Sequence, residues 1–281
     1  MKRGALAAAA MLALLPIFSG AAPEQTVSVL YAGSLVATME GPVKTALREQ
    51  FAVRLAGEAK GSRALANLIS AGLRTPDIFI SADPALIAPL QRQHLVRSCT
   101  VFGSARMLVA YSVKSPHRAL FERAATGNVS ILDVLADPSV RVGRTDPQLD
   151  PKGRRTITVL QLLGKHYRDR AKALAVLSKA ETFPEEDLAV RVESGEVDAG
   201  FFYSTEIPGR DLRTVELPAD TDLSHRIAYA LAVMNDAPHP QAARTFARFL
   251  LWGAGKAILE KAGLHYFISE NCGRVRLRSG L

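Results

Sequence analysis

Short hydrophobic runs alternate with amphipathic segments along most of this chain. In the N-terminal part, β-prone runs at residues 27–31 and 77–80 are each followed by a segment, at 36–50 and 84–92, whose apolar residues recur every three or four positions. A further helix is predicted over 62–72. Alternation of this kind is typical of parallel strands joined by helical crossovers, so the pattern predicts an α/β fold.

Two longer β-prone runs, at residues 105–113 and 225–234, divide the chain further. We interpret them as strands that cross between two lobes and act as their hinge. One lobe is then predicted from residues 24–104 together with 226–281, and the other from the inserted residues 105–225. A chain of 281 residues with 48% hydrophobic content is long enough to bury a core in each lobe.

The first residues have the layout of a secretion signal. Lys2 and Arg3 precede an apolar run from 4 to 18, which contains Pro16 and gives way to small residues. The alternative is a membrane anchor, but the run is shorter than the roughly 20 apolar residues that span a bilayer. We predict a signal peptide over residues 1–22 and a soluble periplasmic protein after cleavage.

Charge and cysteine content exclude some classes of function. The formal net charge is +8, but lysines and arginines are interleaved with acids and do not cluster with aromatic residues, so nucleic-acid binding is not indicated. The two cysteines, Cys99 and Cys272, form no C-x-x-C or Cys/His pattern for zinc. The sequence leaves open whether they form a disulfide or two buried thiols.

Two glycine–serine pairs stand where a β-prone run gives way to a helical segment. Gly33-Ser34 follows the run at 27–31, and Gly61-Ser62 follows a run near 53–58. Strand ends and helix starts offer free N–H groups to an anion, glycine lets the backbone approach closely, and serine adds a hydroxyl donor. The alternative is that each serine caps its own helix, and the pattern alone leaves both interpretations open.

The predicted second lobe carries further polar candidates. The loop "TDPQLDPKGRRTI" places Asp150 and Arg155 before a helix, and "GFFYST" places Tyr203 at a strand end. Solvated arginines in a capped loop, and a half-buried packing tyrosine, are the alternatives. In "ISADPAL" of the first lobe, Asp83 before Pro84 is predicted to be a structural cap.

The segments "YAGSL", "AKGSRALANLI", "PDIFISADPALI", "DPKGRRT" and "VESGEVDAGFFYST" occur in the order found in periplasmic molybdate/tungstate-binding proteins of ABC importers. The chain resembles that family over essentially its whole mature length. The resemblance implies a two-lobe type II periplasmic-binding-protein fold, with a mixed sheet flanked by helices in each lobe and a two-strand hinge. It further implies a monomer without a cofactor, which closes on a tetrahedral oxyanion and delivers it to a membrane permease with its ATPase.

The resemblance also implies roles for particular residues. Ser34, Ser62 and Tyr203 match hydrogen-bond donors to the oxyanion, and Asp150 matches an Asp that binds the metal of the oxyanion. The family's Glu is expected directly before the tyrosine, where this sequence has Phe202, so four- and six-coordinate binding both stay open. The full predicted ligand-binding set is Gly33, Ser34, Gly61, Ser62, Asp150, Arg155 and Tyr203.

Three other functions are weighed against this one. Another oxyanion, such as sulfate or phosphate, fits the same donors, although the larger molybdate and tungstate ions favour a pocket too wide for sulfate. A ligand-sensing adaptor of the same fold is a second possibility. An exported serine hydrolase is disfavoured because the sequence has no G-x-S-x-G and no H-E-x-x-H motif, and no S-x-x-K beside either glycine–serine pair.

Overall fold

The computed structural model describes residues 24–224, 226–270 and 272. The predicted signal peptide over residues 1–22 lies outside the described residues. Within them, no helix combines the length and the apolar character that a bilayer crossing requires.

Strands and helices alternate along the chain, as the hydrophobic pattern predicts. The strands are β1 Gln25–Ala32, β2 Val53–Lys60, β3 Ile78–Ser81, β4 Val96–Ser104, β5 Met107–Ser112, β6 Val142–Thr145, β7 Glu181–Phe183, β8 Ala199–Tyr203, β9 Leu212–Glu216, β10 Ala228–Met234 and β11 His265–Ser269. The α-helices are α1 Val36–Thr38, α2 Lys44–Phe51, α3 Ser62–Ser70, α4 Ile87–Arg92, α5 Arg118–Ala125, α6 Ile131–Ala136, α7 Pro151–His166, α8 Arg170–Lys179, α9 Glu185–Ser194, α10 Pro240–Trp252 and α11 Ala254–Lys261. Single 3-10 turns occupy Gly33–Leu35, Pro84–Leu86 and Ser204–Glu206, and a π-helical stretch at Met39–Val43 joins α1 to α2.

The strands form two mixed sheets, each flanked by helices. Sheet A has the order β11-β4-β10-β3-β1-β2, with β1 parallel to both β2 and β3 and with β10 antiparallel to β3 and β4. Sheet B has the order β7-β6-β8-β5-β9, with β6 parallel to β7 and β8 and with β5 antiparallel to β8 and β9. The α/β prediction is therefore confirmed. We call each sheet with its helices a lobe, lobe A and lobe B.

The chain passes between the two sheets twice. Residues 105–106 lead from β4 into β5, and residues 217–227 lead from β9 back into β10. Hydrogen bonds hold the second crossing against the first one and against the start of β5. Ala105 N–H donates to the Ile227 carbonyl at 3.3 Å, and Met107 N–H donates to the Asp222 carbonyl at 2.7 Å. The connection is thus a pair of coupled short segments rather than two continuous strands.

A disulfide joins Cys99 in β4 to Cys272, whose Cα atoms lie 6.0 Å apart. This settles the alternative that the sequence leaves open. The bond links residues 173 positions apart, so it encloses the whole of sheet B within one covalent loop.

Candidate functional site

The two glycine–serine pairs lie side by side at the carboxyl ends of two neighbouring strands of sheet A. Strands β1 and β2 are parallel, and Ala32 at the end of β1 is in register with Lys60 at the end of β2. The pairs Gly33-Ser34 and Gly61-Ser62 follow these two residues directly. Because ligands of open α/β sheets bind at the carboxyl ends of the strands, both pairs stand at the expected location for a ligand.

Neither serine caps its own helix, so the capping alternative is wrong for both side chains. The Ser34 hydroxyl oxygen accepts a hydrogen bond from the Tyr229 hydroxyl at 3.0 Å. The Ser62 hydroxyl oxygen accepts one from the backbone N–H of Ala82 at 3.1 Å. Asp83, in contrast, is confirmed as a cap, because its carboxylate accepts from Ala85 N–H at 3.0 Å.

Lobe B contacts these strand ends through the residues at the start of α7. The Leu149 carbonyl accepts the N–H of Ala64 in the first turn of α3 at 3.0 Å. A Cβ atom built on Gly61 would lie 2.6 Å from the same carbonyl oxygen and 3.1 Å from Cβ of Asp150. Glycine is therefore required at position 61 for the two lobes to approach this closely.

Arg155 bridges the two lobes rather than facing solvent. Its Nη1 donates to the Tyr203 hydroxyl oxygen at 2.6 Å and to the Ala82 carbonyl at 2.9 Å, and its Nη2 donates to the Arg226 carbonyl at 3.2 Å. Because both terminal nitrogens of Arg155 form these bonds, its main role is to hold the Tyr203 hydroxyl in place.

Three buried hydroxyl groups of the site have the same hydrogen-bonding role toward the protein. The hydroxyl oxygens of Ser34, Ser62 and Tyr203 each accept a hydrogen bond from a protein donor. Among residues 24–224, 226–270 and 272, no acceptor is found for the proton of any of the three. Because a hydroxyl carries one proton and can also accept, each group is left to donate to a ligand.

Two buried carboxylates complete the site. Asp150 Oδ1 accepts the N–H of Lys152 at 3.1 Å at the start of α7, and Glu185 Oε2 accepts the N–H of Gly33 at 2.9 Å. The other oxygen of each carboxyl group, Asp150 Oδ2 and Glu185 Oε1, is buried and accepts no well-formed hydrogen bond in the described part of the chain, although the nearby Thr145 hydroxyl offsets part of the rise in pKa that burial causes at Asp150. A buried carboxyl oxygen that accepts no hydrogen bond is costly, so both atoms point to a ligand.

No local sequence pattern singles out Glu185. It reads as an ordinary acid in the first turn of a helix, next to Glu186, whose side chain is 28% exposed. Phe202, where a glutamate was expected, packs with Leu188 and Val192 in a separate hydrophobic cluster. Side chains alternate along a strand, so position 202 faces away from the side that Tyr203 occupies, and Glu185 is the second carboxylate at the site.

A fully buried lysine neutralises part of this negative charge. Lys152 Nζ lies 2.6 Å from Glu206 Oε1 and 3.9 Å from Glu185 Oε1. Glu206 Oε2 in turn accepts the N–H of Tyr203 at 2.7 Å. Burial alone lowers the pKa of Lys152, but the surrounding carboxylates outweigh burial and raise it above its ordinary value, so the lysine stays charged.

Burial raises the pKa of the Glu185 carboxyl well above its ordinary value of 4.5, and the Asp150 carboxylate raises it further. The folded protein then holds this proton more firmly than the unfolded chain does. The resulting stabilisation is fully present below pH 4.5 and is lost as pH rises through the folded-state pKa. We expect the melting temperature of the ligand-free protein to fall over that interval, and to fall less in Glu185→Gln, whose amide does not titrate. Thermal melts of both proteins from about pH 4 to about pH 8 measure the difference; identical curves would contradict it.

The composition of the site differs from that of a cluster of metal ligands. In the ranges 24–224, 226–270 and 272, no group of three or more His, Cys, Asp or Glu residues has a metal-binding arrangement. The carboxylates are instead mixed with hydroxyl donors and with Lys152, a combination that suits an anion with an electrophilic centre.

Residues 27–265 match the sequence profile of the bacterial extracellular solute-binding protein family. The chain belongs to this family. Members of the family bind solutes for transport and are not enzymes.

Relatives of this solute-binding protein include two proteins whose names state that they bind molybdenum or molybdate and tungstate. A putative ABC transporter molybdenum-binding protein of Haloferax volcanii is 37% identical over 209 residues, which are 73% of this chain and 65% of that protein. A molybdate/tungstate-binding protein of Thermococcus kodakarensis is 23% identical over 292 residues, which are 84% of this chain and 80% of that protein. The chain thus spans slightly less than two thirds of the Haloferax relative.

A solved structure confirms the fold class of this solute-binding protein. The periplasmic molybdate-binding protein of Azotobacter vinelandii superposes with a TM-score of 0.68 at 20% identity, covering 85% of this chain and 98% of that one. The predicted two-lobe periplasmic-binding-protein fold is therefore correct.

Proposed function

We propose that this solute-binding protein captures molybdate or tungstate between its two lobes and delivers it to the permease and ATPase of an ABC importer. The lobes are proposed to comprise residues 24–104 with 226–281 and residues 105–225. The signal peptide predicted at residues 1–22 supports export, and the mature protein is proposed to act in the periplasm as a monomer.

One observation carries the ligand assignment, namely the mixture of donors and free carboxylate oxygens at a single site. The hydroxyls of Ser34, Ser62 and Tyr203 are set to donate, as a fully ionised oxyanion requires. Asp150 Oδ2 and Glu185 Oε1 would repel the oxygens of such an anion but can bind a central metal atom that accepts further oxygen ligands. Molybdenum and tungsten accept such ligands, whereas the sulfur of sulfate does not.

The same carboxylates favour one second candidate, hydrogen phosphate. This ion carries a proton near neutral pH and can donate it to Asp150 Oδ2 or Glu185 Oε1, neither of which accepts a well-formed hydrogen bond in the described residues. Sulfate has no such proton. The site therefore disfavours sulfate under either proposal.

Isothermal titration of the mature protein with molybdate, tungstate, sulfate and hydrogen phosphate distinguishes these ligands. We expect molybdate and tungstate to bind and sulfate to give no heat. Tight binding of phosphate alone would replace the first proposal by the second, and tight sulfate binding would contradict both. In Asp150→Asn, we expect weaker molybdate and tungstate binding and measurable sulfate binding, because an unfavourable charge is removed and an amide donor is gained.

Serine variants test the donor geometry within the same experiment. Ser34→Ala and Ser62→Ala should each weaken the preferred oxyanion by about 1–3 kcal/mol, because each removes a hydrogen bond to a buried charge. Ser70→Ala is a matched control, since Ser70 lies at the other end of α3 and its exposed hydroxyl bonds Gln93. Unchanged affinity in both site variants would contradict the donor role.

A further inference from the structure

A series of three buried hydroxyl groups, those of Ser34, Tyr229 and Thr205, links lobe A to lobe B. The hydroxyl of Tyr229, in β10 of lobe A, lies 3.0 Å from Ser34 Oγ and 2.9 Å from Thr205 Oγ1. Thr205 belongs to the 3-10 turn that follows β8 in lobe B. The exposed fractions of Ser34, Thr205 and Tyr229 are 2%, 2% and 0%, so water does not compete for these contacts.

The number of available protons determines which hydroxyl group donates in each of these hydrogen bonds. A phenol has one proton, and the Tyr229 hydroxyl donates it to Ser34. The contact between Thr205 and Tyr229 must therefore use the proton of Thr205. Ser34 now accepts from Tyr229, so its own proton points away from Tyr229 and toward the site.

We propose that Tyr229 is a positioning residue of the oxyanion site, and that Thr205, Tyr229 and Ser34 form a relay that directs the Ser34 proton to the ligand. This inference rests on the proposed function. In such a chain, each hydrogen bond polarises the next one, so the last hydroxyl is a stronger donor than an isolated serine. A negatively charged ligand benefits most from that polarisation.

The ring of Tyr229 is held in place by its neighbours. It packs edge-to-face against Tyr203, with ring centroids 6.2 Å apart, and lies 6.1 Å from the ring centroid of Phe102. Burial raises the pKa of Tyr229 far above its ordinary value, so the phenol keeps its proton over the physiological range. The same ring thus supports donors from both lobes, Ser34 by a hydrogen bond and Tyr203 by packing.

The relay also depends on the relative position of the lobes. Ser34 and Tyr229 move with sheet A, whereas Thr205 is in a turn of lobe B whose next residue, Glu206, pairs with Lys152. Full polarisation of Ser34 therefore requires the turn of lobe B to lie against β10.

Titration of the mature protein and its variants with molybdate tests the relay. Tyr229→Phe keeps the ring and removes the hydroxyl, and Thr205→Val keeps the shape and removes the first proton. We expect Tyr229→Phe to weaken molybdate binding about tenfold and Thr205→Val about threefold. Each change made in a Ser34→Ala background should alter affinity less than about twofold, because the residue through which the relay acts is gone.

The control is Tyr266→Phe in β11, the outer strand of sheet A two strands away from β10, which loses a hydroxyl hydrogen bond to the Leu251 carbonyl and should bind molybdate as the wild type does. Equal losses with and without Ser34 would show that Tyr229 does not act through that serine and would overturn the relay. Unchanged affinity in Tyr229→Phe, or in Thr205→Val should Tyr229→Phe not fold, would also overturn it. A wild-type protein that binds no oxyanion overturns the proposed function and the relay together, so the two failures are distinguishable.

Discussion

Replacing Lys152 with methionine is expected to destabilise the protein by about 3–5 kcal/mol. The ammonium group is fully buried and forms a 2.6 Å ion pair with Glu206, whose other oxygen holds the backbone of Tyr203. Methionine preserves most of the volume but leaves the Glu206 carboxylate buried without its counter-charge. Urea unfolding of the ligand-free protein, followed by circular dichroism, measures the loss in free energy of unfolding.

Two further variants separate this ion pair from charge effects in general. Lys172→Met breaks a 2.7 Å pair with Asp133 in which both side chains are about half exposed, and it should cost less than about 1 kcal/mol. The double variant Lys152→Met/Glu206→Gln removes both charges and should recover part of the stability. Similar losses in Lys152→Met and Lys172→Met would show that the buried pair is not the dominant interaction.

Replacing Gly61 with alanine is expected to weaken oxyanion binding about 100-fold, a cost of roughly 2–3 kcal/mol for the overpacked contact. The added methyl group would lie 2.6 Å from the Leu149 carbonyl oxygen, which belongs to the backbone and cannot turn aside as a side chain would. Since Leu149 is in lobe B, the clash acts only when the lobes are together. Titration with the preferred oxyanion gives the affinity, and small-angle scattering shows whether the liganded protein still closes.

Gly33→Ala provides the comparison for this variant. Its added methyl group would lie 3.1 Å from Cγ and Oε2 of Glu185, which belong to a side chain that can adjust. We expect a smaller loss of affinity than in Gly61→Ala, and nearly unchanged melting of both ligand-free proteins. A large drop in the melting temperature of ligand-free Gly61→Ala would mean that the glycine serves folding rather than closure.

The lobe A half of the site is predictable from sequence because its signals are local. A strand end, a glycine, a serine and a helix start occur within a few residues, and the parallel pairing of β1 and β2 brings Gly33-Ser34 beside Gly61-Ser62. The partners of the serines are not local. Tyr229 is 195 positions from Ser34, and no pattern near either residue indicates the hydrogen bond between them.

The carboxylates illustrate the same limit. Glu185 and Glu186 are both acids in the first turn of α9, and only the packing of lobe B on lobe A sends one to Gly33 and leaves the other partly exposed. The expectation of a glutamate at position 202 relied on adjacency in sequence to Tyr203. Adjacent residues of a strand point to opposite faces, so a residue beside Tyr203 is poorly placed to share its ligand.

The position of β10 inside sheet A has a consequence for how the protein is made. This strand lies between β3 and β4, which precede it by well over a hundred residues, and β4 otherwise pairs only with β11 among the described strands. During synthesis, which begins at the N-terminus, β3 and β4 therefore have unpaired edges until all of sheet B has been made. The Cys99–Cys272 bond must form later still. Lobe A is thus completed only after sheet B has been made, and release of a chain that stops before β10 leaves strand edges open to aggregation.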